Sequence, residues 1–455
     1  MTRARSELDV FGSALEQARA IRERRVGSEE LVAHYLDRID RLDGQYAAFP
    51  KVFRRRARLD ARAKDRRRAA ELPPFFGVPV GVKDLHFLRG DFTRMGSRAY
   101  EWLLSPYDDV TVRALKRAGF VIVGKTSTSE LALLPVVEPD IHPPTRNPWD
   151  PSRTSGGSSG GAAAAVAAGM LPIAPGSDGG GSIRIPAAVC GLFGHKPSRG
   201  LVPNPHAPMD ELGMTAIGPL AQGVEDGAAL LDVLAGRAPG APQSFLALAR
   251  ARPPRMTVGV LVDSPLGETD AARAEAAEAA GRALAALGHR VVACTAPATG
   301  LDDFMPIYQR LLSRAPVIFE SRLQPLTRWF RAEGRRVSRE DARARHERLS
   351  AICAETFGDV DVMITPTTPI APPRIGAFRA LPPEEAFRRM AHLGAFTAAG
   401  NLTGAPGATV PWSLVDGLPA GVQLLGRPGE DARVLALALE LERHRPDPPG
   451  RAPIG

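Results

Sequence analysis

Two glycine- and serine-rich loops and one lysine hold the chemistry legible in this chain. The second loop runs Gly176-Ser177-Asp178-Gly179-Gly180-Gly181-Ser182. Hydrolysis of an unactivated amide needs a nucleophile, a base for its proton, and donors where an oxyanion develops. This loop can supply the first and the third. With no Cβ on Gly179, Gly180 and Gly181, the N–H groups from Gly179 to Ser182 can converge on one point. A helix starting after Ser182 would add the positive end of its dipole. The first loop, Gly156-Gly157-Ser158-Ser159-Gly160-Gly161, carries two more hydroxyls.

A base must accompany the nucleophile. Histidine is the usual one, but none of the nine histidines sits in a recognisable triad context; His86 and His195 lie nearest the loops and read as structural. Lysine then becomes the candidate. Lys83 ends an apolar run, Val78 to Val82, that reads as a buried strand. It can act only if burial brings its ordinary pKa of about 10.4 down to the working pH. The alternative is a lysine in an ion pair with Asp84. A phosphate-cradling reading is weaker. Gly119 and Gly124-Lys125-Thr126 have Walker-like spacing, but Phe120 to Val123 between them reads as strand rather than loop.

The elements that must position these groups alternate. Leu31, Val32, Tyr35, Leu36 and Ile39 recur at helical spacing over 28–42, with Ser28 as N-cap. Further helices are expected at 109–118, 162–169, 183–190, 269–287 and 430–444. Strands are expected at 78–82, 120–124, 171–175, 256–262, 290–296, 361–365, 407–412 and 420–425. The pattern is α/β: a large mixed, mostly parallel sheet covered by helices on both faces.

The 455 residues are 44% hydrophobic and 24% charged, ordinary for a globular protein. Part of the net charge of +8 comes from Lys51–Arg68, read as a solvated helix face because no nucleic-acid motif accompanies it. Cys190, Cys294 and Cys353, an odd and scattered set, fit neither a disulfide framework nor a zinc site. The first twenty residues contain no signal-peptide-like apolar stretch, and no run is long enough to span a bilayer. A cytoplasmic, soluble protein is expected, with no nucleic-acid or membrane partner. Residues 28–42 and the basic segment are candidate contact surfaces for an oligomer.

At the two loops the sequence resembles the amidase signature family of serine hydrolases. The resemblance rests on Gly156 to Gly161, Gly176 to Pro186 (GSDGGGSIRIP), Ala187 to Ser198 (AAVCGLFGHKPS) and Gly77 to Asp84 (GVPVGVKD). Secondary echoes are Lys125 to Leu131, Thr145 to Asp150, Asp361 to Pro369, Asn401 to Pro406 and Gly417 to Pro428. Only 235–350 gives little to match. The resemblance implies that Ser182 attacks the carbonyl and that Ser158, joined to Gly157 by a cis peptide, relays the proton. Lys83 would be the base. It further implies an oxyanion hole from the backbone of Gly179, Gly180, Gly181 and Ser182, braced by Asp178 and Arg184. Ser159 is a secondary hydrogen-bonding candidate or a cap for the Ala-rich helix. No metal or organic cofactor is required.

The family's substrates include aliphatic, aryl, fatty and peptide amides, carbamates and some esters, and one branch is the glutamine-hydrolysing subunit of a tRNA-dependent amidotransferase. That branch usually shows Gln after the signature arginine, where this chain has Ile185, and often Thr where it has Gly179. A stand-alone hydrolase of hydrophobic aryl or acyl amides is therefore expected, extending to carbamates and esters. An inactive binding module is the alternative of another class. Met95, Leu133, Phe304, Tyr308 and Ile370 are candidates for an apolar substrate pocket. The organisation implied is one amidase domain over 1–455. It divides into a helical N-terminal region (1–75), a signature core (76–235), a variable, partly helical substrate-side lobe (236–350) and the C-terminal part of the core (351–455).

Overall fold

The computed structural model describes Asp9 and residues 11–67, 72–446 and 448–454. The expected apolar runs form strands, in two sheets. The smaller has three: β1 (Lys51–Val52), β2 (Pro79–Lys83) and β3 (Val121–Thr126), in the order β1-β3-β2. The larger contains β4 (Ile173–Asp178), β5 (Phe193–Lys196), β6 (Ala216–Ala221), β7 (Thr257–Val260), β8 (Arg290–Ala293), β9 (Val362–Pro366), β10 (Gly407–Val415) and β11 (Leu418–Leu425). Their order is β4-β6-β5-β10-β11-β9-β7-β8.

This sheet is mixed, but parallel pairing is confined to β9-β7-β8. The pairs β4-β6, β6-β5, β5-β10, β10-β11 and β11-β9 are antiparallel, which corrects the mostly parallel sheet expected. The β-α-β pattern around 256–296 is local to one edge. β10 and β11 form a two-residue hairpin through Asp416 and Gly417, both at positive φ, a connection that can only pair strands antiparallel. The same edge places part of 236–350 in the core sheet. Only after β8 does that segment become a set of packed helices, Leu301–Ser313, Pro325–Gly334 and Arg339–Glu355.

Helix Ser28–Tyr46 buries the apolar stripe read from its spacing. Its N-cap is Gly27, not Ser28. The first N–H groups, of Ser28 and Glu29, donate instead to the Asp65 carboxylate at 2.6 and 2.9 Å. Asp65 ends helix Arg54–Asp65, whose Ala57 and Ala61 are buried while its arginines face outward and pair with Asp40 and Glu29. Arg68, the last residue of the basic segment, lies outside the described residues, as do the first eight residues of the N-terminal stretch. Among the described residues no helix is long and apolar enough to cross a membrane.

Helix Gly160–Ala167 is apolar on every side and buried throughout, as expected of a helix inside the core. A Cβ on Gly161 would lie 2.3 Å from the Ser127 nitrogen, so only glycine permits this approach to the end of β3. The helix thereby brings the loop carrying Ser158 and Ser159 to the ends of β2 and β4.

Candidate active site

β2 and β4 belong to different sheets but lie against each other, and their C-terminal ends meet. Lys83 ends β2, entirely buried. β4 continues past the expected boundary to Asp178, so Ser177 stands on a strand rather than in a loop. Lys83 Nζ lies 2.8 Å from Ser158 Oγ, 2.9 Å from Ser159 Oγ and 2.8 Å from Ser177 Oγ. A neutral amine has two N–H donors and one lone pair, so two of these hydroxyls can accept while the third donates. Burial, opposed only by the Asp178 anion, pulls Lys83 from 10.5 down to about 7. Lys83 makes no ion pair among the described residues. Asp84 instead faces Lys125 at 3.5 Å, and burial pushes its carboxyl up to about 6 against that pull. Lys125 is thus a buried structural partner on β3, and the Walker-like spacing holds no loop.

The first loop is shaped by contact. The Gly157–Ser158 peptide is cis. A Cβ on Gly157 would come within 2.7 Å of the Leu134 carbonyl oxygen and 2.8 Å of the Val136 nitrogen. Ser159 stands at the N-cap of the Ala-rich helix, but its side chain makes no capping hydrogen bond. Its hydroxyl accepts from the Ser177 N–H at 3.2 Å, and its N–H donates to the Ser182 carbonyl at 3.1 Å. One residue thus ties both loops and β4 together.

The second loop is held from beneath by a buried ion pair. Arg184, at the start of helix Arg184–Cys190, donates to Asp178 through Nε (3.0 Å) and Nη2 (2.9 Å). Its remaining N–H groups reach the Thr397 carbonyl (2.7 Å), Gln423 Oε1 (2.7 Å) and Asn401 Oδ1 (2.6 Å). Burial alone would raise the Asp178 carboxyl; the Arg184 guanidinium overrides it and holds the group well below the usual carboxylate range. Asp178 in turn accepts from the N–H groups of Gly181 (2.7 Å) and Ile183 (3.1 Å). The Gly181 N–H is therefore taken, which removes it from the expected set of oxyanion donors. Among the described residues no protein acceptor engages those of Gly179, Gly180 or Ser182. Gly181 has φ +131°, and a Cβ there would lie 2.2 Å from Thr397 Oγ1, which donates to the Gly180 carbonyl at 2.6 Å.

Ser182 is nearly buried and opens onto a cleft lined by Leu133, Phe304, Tyr308, Ile185, Phe387 and other apolar residues, with no charged side chain. Three of the five expected pocket residues are here. Met95 lines a different cavity, and Ile370 packs near Val136, Ala386 and Met390. Both follow from chain direction, which spacing cannot reveal. Tyr308 is wedged between Phe304 and Phe330, with ring centroids 5.7 and 6.0 Å away, and its hydroxyl is 3.5 Å from where a Gly179 Cβ would stand. Burial, with the Asp178 anion, raises its phenol, which stays a donor at neutral pH. His86 and His195 are elsewhere engaged, each 3.0 Å from a carboxylate, Asp109 and Asp431.

Sequence reasoning missed Ser177, Thr397, Asn401 and Gln423 as members of this constellation. Asn401 and Gln423 stood inside motifs already singled out. Nothing in the local pattern marked Thr397.

The Amidase family model matches residues 30–435. The chain belongs to the amidase family. It is 39% identical to the Mycobacterium tuberculosis protein carrying the amidase name AmiB2, over 96% of each chain. It is also 32% identical to a glutamyl-tRNA(Gln) amidotransferase subunit from Thioalkalivibrio sulfidiphilus, over 96% of this chain and 98% of that protein. Among solved structures, a 6-aminohexanoate cyclic dimer hydrolase superposes with a TM-score of 0.89 at 28% identity, covering 98% of this chain and all of the other. This amidase is an enzyme that hydrolyses amide C–N bonds.

Proposed function

We propose that this amidase is a stand-alone hydrolase of uncharged, apolar amides, working through an acyl-enzyme on Ser182. The single observation that carries the reading is a buried lysine, pulled down to about 7, within 2.9 Å of three serine hydroxyls beside the Ser182 loop. In the proposed cycle Ser182 Oγ attacks the carbonyl carbon. Its proton passes to Ser158, whose own proton passes to Lys83. The oxyanion is met by free N–H groups of the loop, each worth about 3 kcal/mol of transition-state stabilisation. Collapse breaks the C–N bond, and the proton returns from Lys83 through Ser158 to the departing nitrogen. Water then adds to the acyl ester by the same relay, releasing the acid and restoring Ser182. Ser159 and Ser177 hold the lysine in place, and Asp178 and Arg184 hold the loop.

A second reading, a glutamine-hydrolysing component of an amidotransferase, has the likeness to the Thioalkalivibrio protein in its favour. Against it stands the wall of the cleft. Free glutamine carries a carboxylate and an ammonium that need charged partners when desolvated, and the residues lining the cleft offer none. Ile185, where that branch usually shows Gln, is part of this wall.

The test is a hydrolysis panel of primary amides, anilides, carbamates, esters and glutamine, run on the wild type and on Ser182→Ala. Apolar amides are turned over and glutamine is not. Ser182→Ala abolishes turnover, and a phosphonate probe labels only the wild type. Near-normal activity in Ser182→Ala ends the proposed mechanism.

A further inference from the structure

Glycine lets the N–H groups of the second loop converge, but it does not aim them. With no Cβ on Gly179, Gly180 or Gly181, little steric resistance opposes movement of the peptide planes between them. A donor stabilises an oxyanion only when it is already held on its target. The aim must come from bonds made by the carbonyls. The peptide bonds from Asp178 to Ser182 are all trans, so within each unit the N–H points away from the carbonyl. Holding a carbonyl from behind the loop therefore fixes the direction of the next N–H.

Two of these carbonyls are held from one short helix, Ala398–Leu402, and the threonine before it. Asn401 Nδ2 donates to the Asp178 carbonyl at 2.9 Å, which turns the Gly179 N–H the other way. Thr397 Oγ1 donates to the Gly180 carbonyl at 2.6 Å, and the N–H at the far end of that same unit, of Gly181, donates to Asp178 Oδ1 at 2.7 Å. The Gly180–Gly181 unit is thus pinned at both ends. A third carbonyl, of Gly181, accepts from the Ile185 N–H at 2.7 Å, which sets the Ser182 N–H. A shift of the pinned unit would displace the two free donors on either side of it, the N–H groups of Gly180 and Ser182.

The Thr397 hydroxyl does not serve its own helix. Thr397 is entirely buried and stands at the N-cap, where a threonine ordinarily caps the first turn. Its side chain makes no such bond. The Gly394 carbonyl lies 3.1 Å from Oγ1, but a hydroxyl has one hydrogen and the Gly180 carbonyl is nearer. The Thr397 backbone is held separately. Its N–H donates to the Gly394 carbonyl at 3.0 Å, and its carbonyl accepts from Arg184 Nη1 at 2.7 Å. Removing the hydroxyl leaves these bonds in place. Ala398 and Ala399 line the cleft and Thr397 does not.

We propose that Thr397 is a positioning residue of this amidase, its hydroxyl aiming the N–H groups of Gly180 and Ser182 by pinning the Gly180 carbonyl. The assignment rests on the acyl-enzyme reading above. The hydroxyl touches no substrate, so its effect falls on the transition state and not on substrate binding. Asn401 does the same for Gly179. It also accepts from Arg184 at 2.6 Å and donates to the Met214 carbonyl at 2.9 Å, so replacing it would loosen the brace as well.

Three variants test this: Thr397→Ala removes the hydroxyl, Thr397→Val removes it while refilling the space, and Thr397→Ser keeps it. For a neutral anilide, kcat falls about a hundredfold in the first two with KM within about twofold of wild type, while Thr397→Ser stays within about threefold. Inhibitor binding gives a second readout. A trifluoromethyl ketone takes Ser182 Oγ at its carbonyl carbon; the serine proton leaves to the relay, and the carbonyl oxygen becomes the anion. The matching alcohol enters the cleft without forming that anion. In Thr397→Ala the ketone binds about a hundredfold more weakly and the alcohol as in wild type. Equal weakening of ketone and alcohol overturns the proposal, as does a loss in Thr397→Ser equal to that in Thr397→Ala. Turnover that survives Ser182→Ala would discard the acyl-enzyme reading and this assignment with it. Ser182-dependent turnover that is indifferent to Thr397→Ala and Thr397→Val would discard this assignment alone.

Discussion

Replacing Lys83 by methionine should change stability in opposite directions on the two sides of about pH 8. Burial takes the amine from 10.5 in the unfolded chain to about 7 in the folded one. Each tenfold change in proton affinity corresponds to about 1.4 kcal/mol. Below pH 7 both states are protonated, and the native state bears the full cost of a buried ammonium, about 5 kcal/mol. Between 7 and 10.5 the unfolded chain binds the extra proton, so stability rises with pH, and above 10.5 the cost is gone. At pH 7 the remaining cost is about 4 kcal/mol, and at pH 9 about 2 kcal/mol. Methionine has nearly the same shape and no charge, so it removes this cost. It also strips a partner from Ser158, Ser159 and Ser177, a loss of about 1 kcal/mol each that does not vary with pH. Lys83→Met is then about 1 kcal/mol more stable than wild type at pH 7 and about 1 kcal/mol less stable at pH 9. Urea denaturation of both proteins at the two pH values measures the differences, and every other titration cancels. If the stability gap between mutant and wild type is the same at pH 7 and pH 9, the lysine is not held neutral by burial, and the base assigned to this site is wrong. Catalysis must be lost in the mutant at both.

The rate should follow the same group. kcat/KM for a neutral amide rises through about pH 7 and drops about tenfold per pH unit below it; a flat profile from pH 5 to 9 contradicts a lysine base. Arg184→Met leaves the Asp178 carboxylate buried without its cation, which costs about 3–5 kcal/mol; thermal unfolding reads it as a large loss of Tm, and an unchanged Tm would mean the pair does not brace the loop. Gly181→Ala forces a Cβ into Thr397 Oγ1 at a φ unsuited to alanine. Its kcat falls by orders of magnitude while its urea midpoint moves little, because the displaced loop lies at the cleft. Tyr308→Phe keeps the ring stack and removes the donor beside Gly179; kcat for amides with a polar substituent next to the carbonyl drops more than kcat for plain aliphatic amides.

Much of the site was legible because it depends on short-range rules. A lysine ending an apolar run, two loops of glycine and serine, and an Asp and an Arg flanking Ser182 carry their meaning within a few residues of themselves. Six helices and eight strands were recoverable in the same way, from periods of 3.6 and 2 and from turn residues. Strand direction was not recoverable. The parallel β9-β7-β8 edge and the antiparallel remainder differ in which distant strands pair; β5 is short and half polar, and the apolar run of β6 is interrupted by Gly218 and Pro219.

The chain's local chemistry by itself offered serine hydroxyls on two glycine-rich loops and a lysine ending an apolar run as candidates for the site, and room for converging amides around Ser182. Tertiary structure decided the rest. Only the meeting of β2 and β4 from two sheets brings Lys83 down to about 7, because desolvation is a property of everything packed around a group and not of its neighbours in sequence. Only the return of the chain at 397–423 supplies Thr397, Asn401 and Gln423, which satisfy the remaining donors of Arg184 and so permit a charge to be buried beneath the loop. Only the crossing of Ser129–Val136 over Gly157 sends Leu131 and Leu133 into different cavities, a division that residues two apart on one segment could not announce.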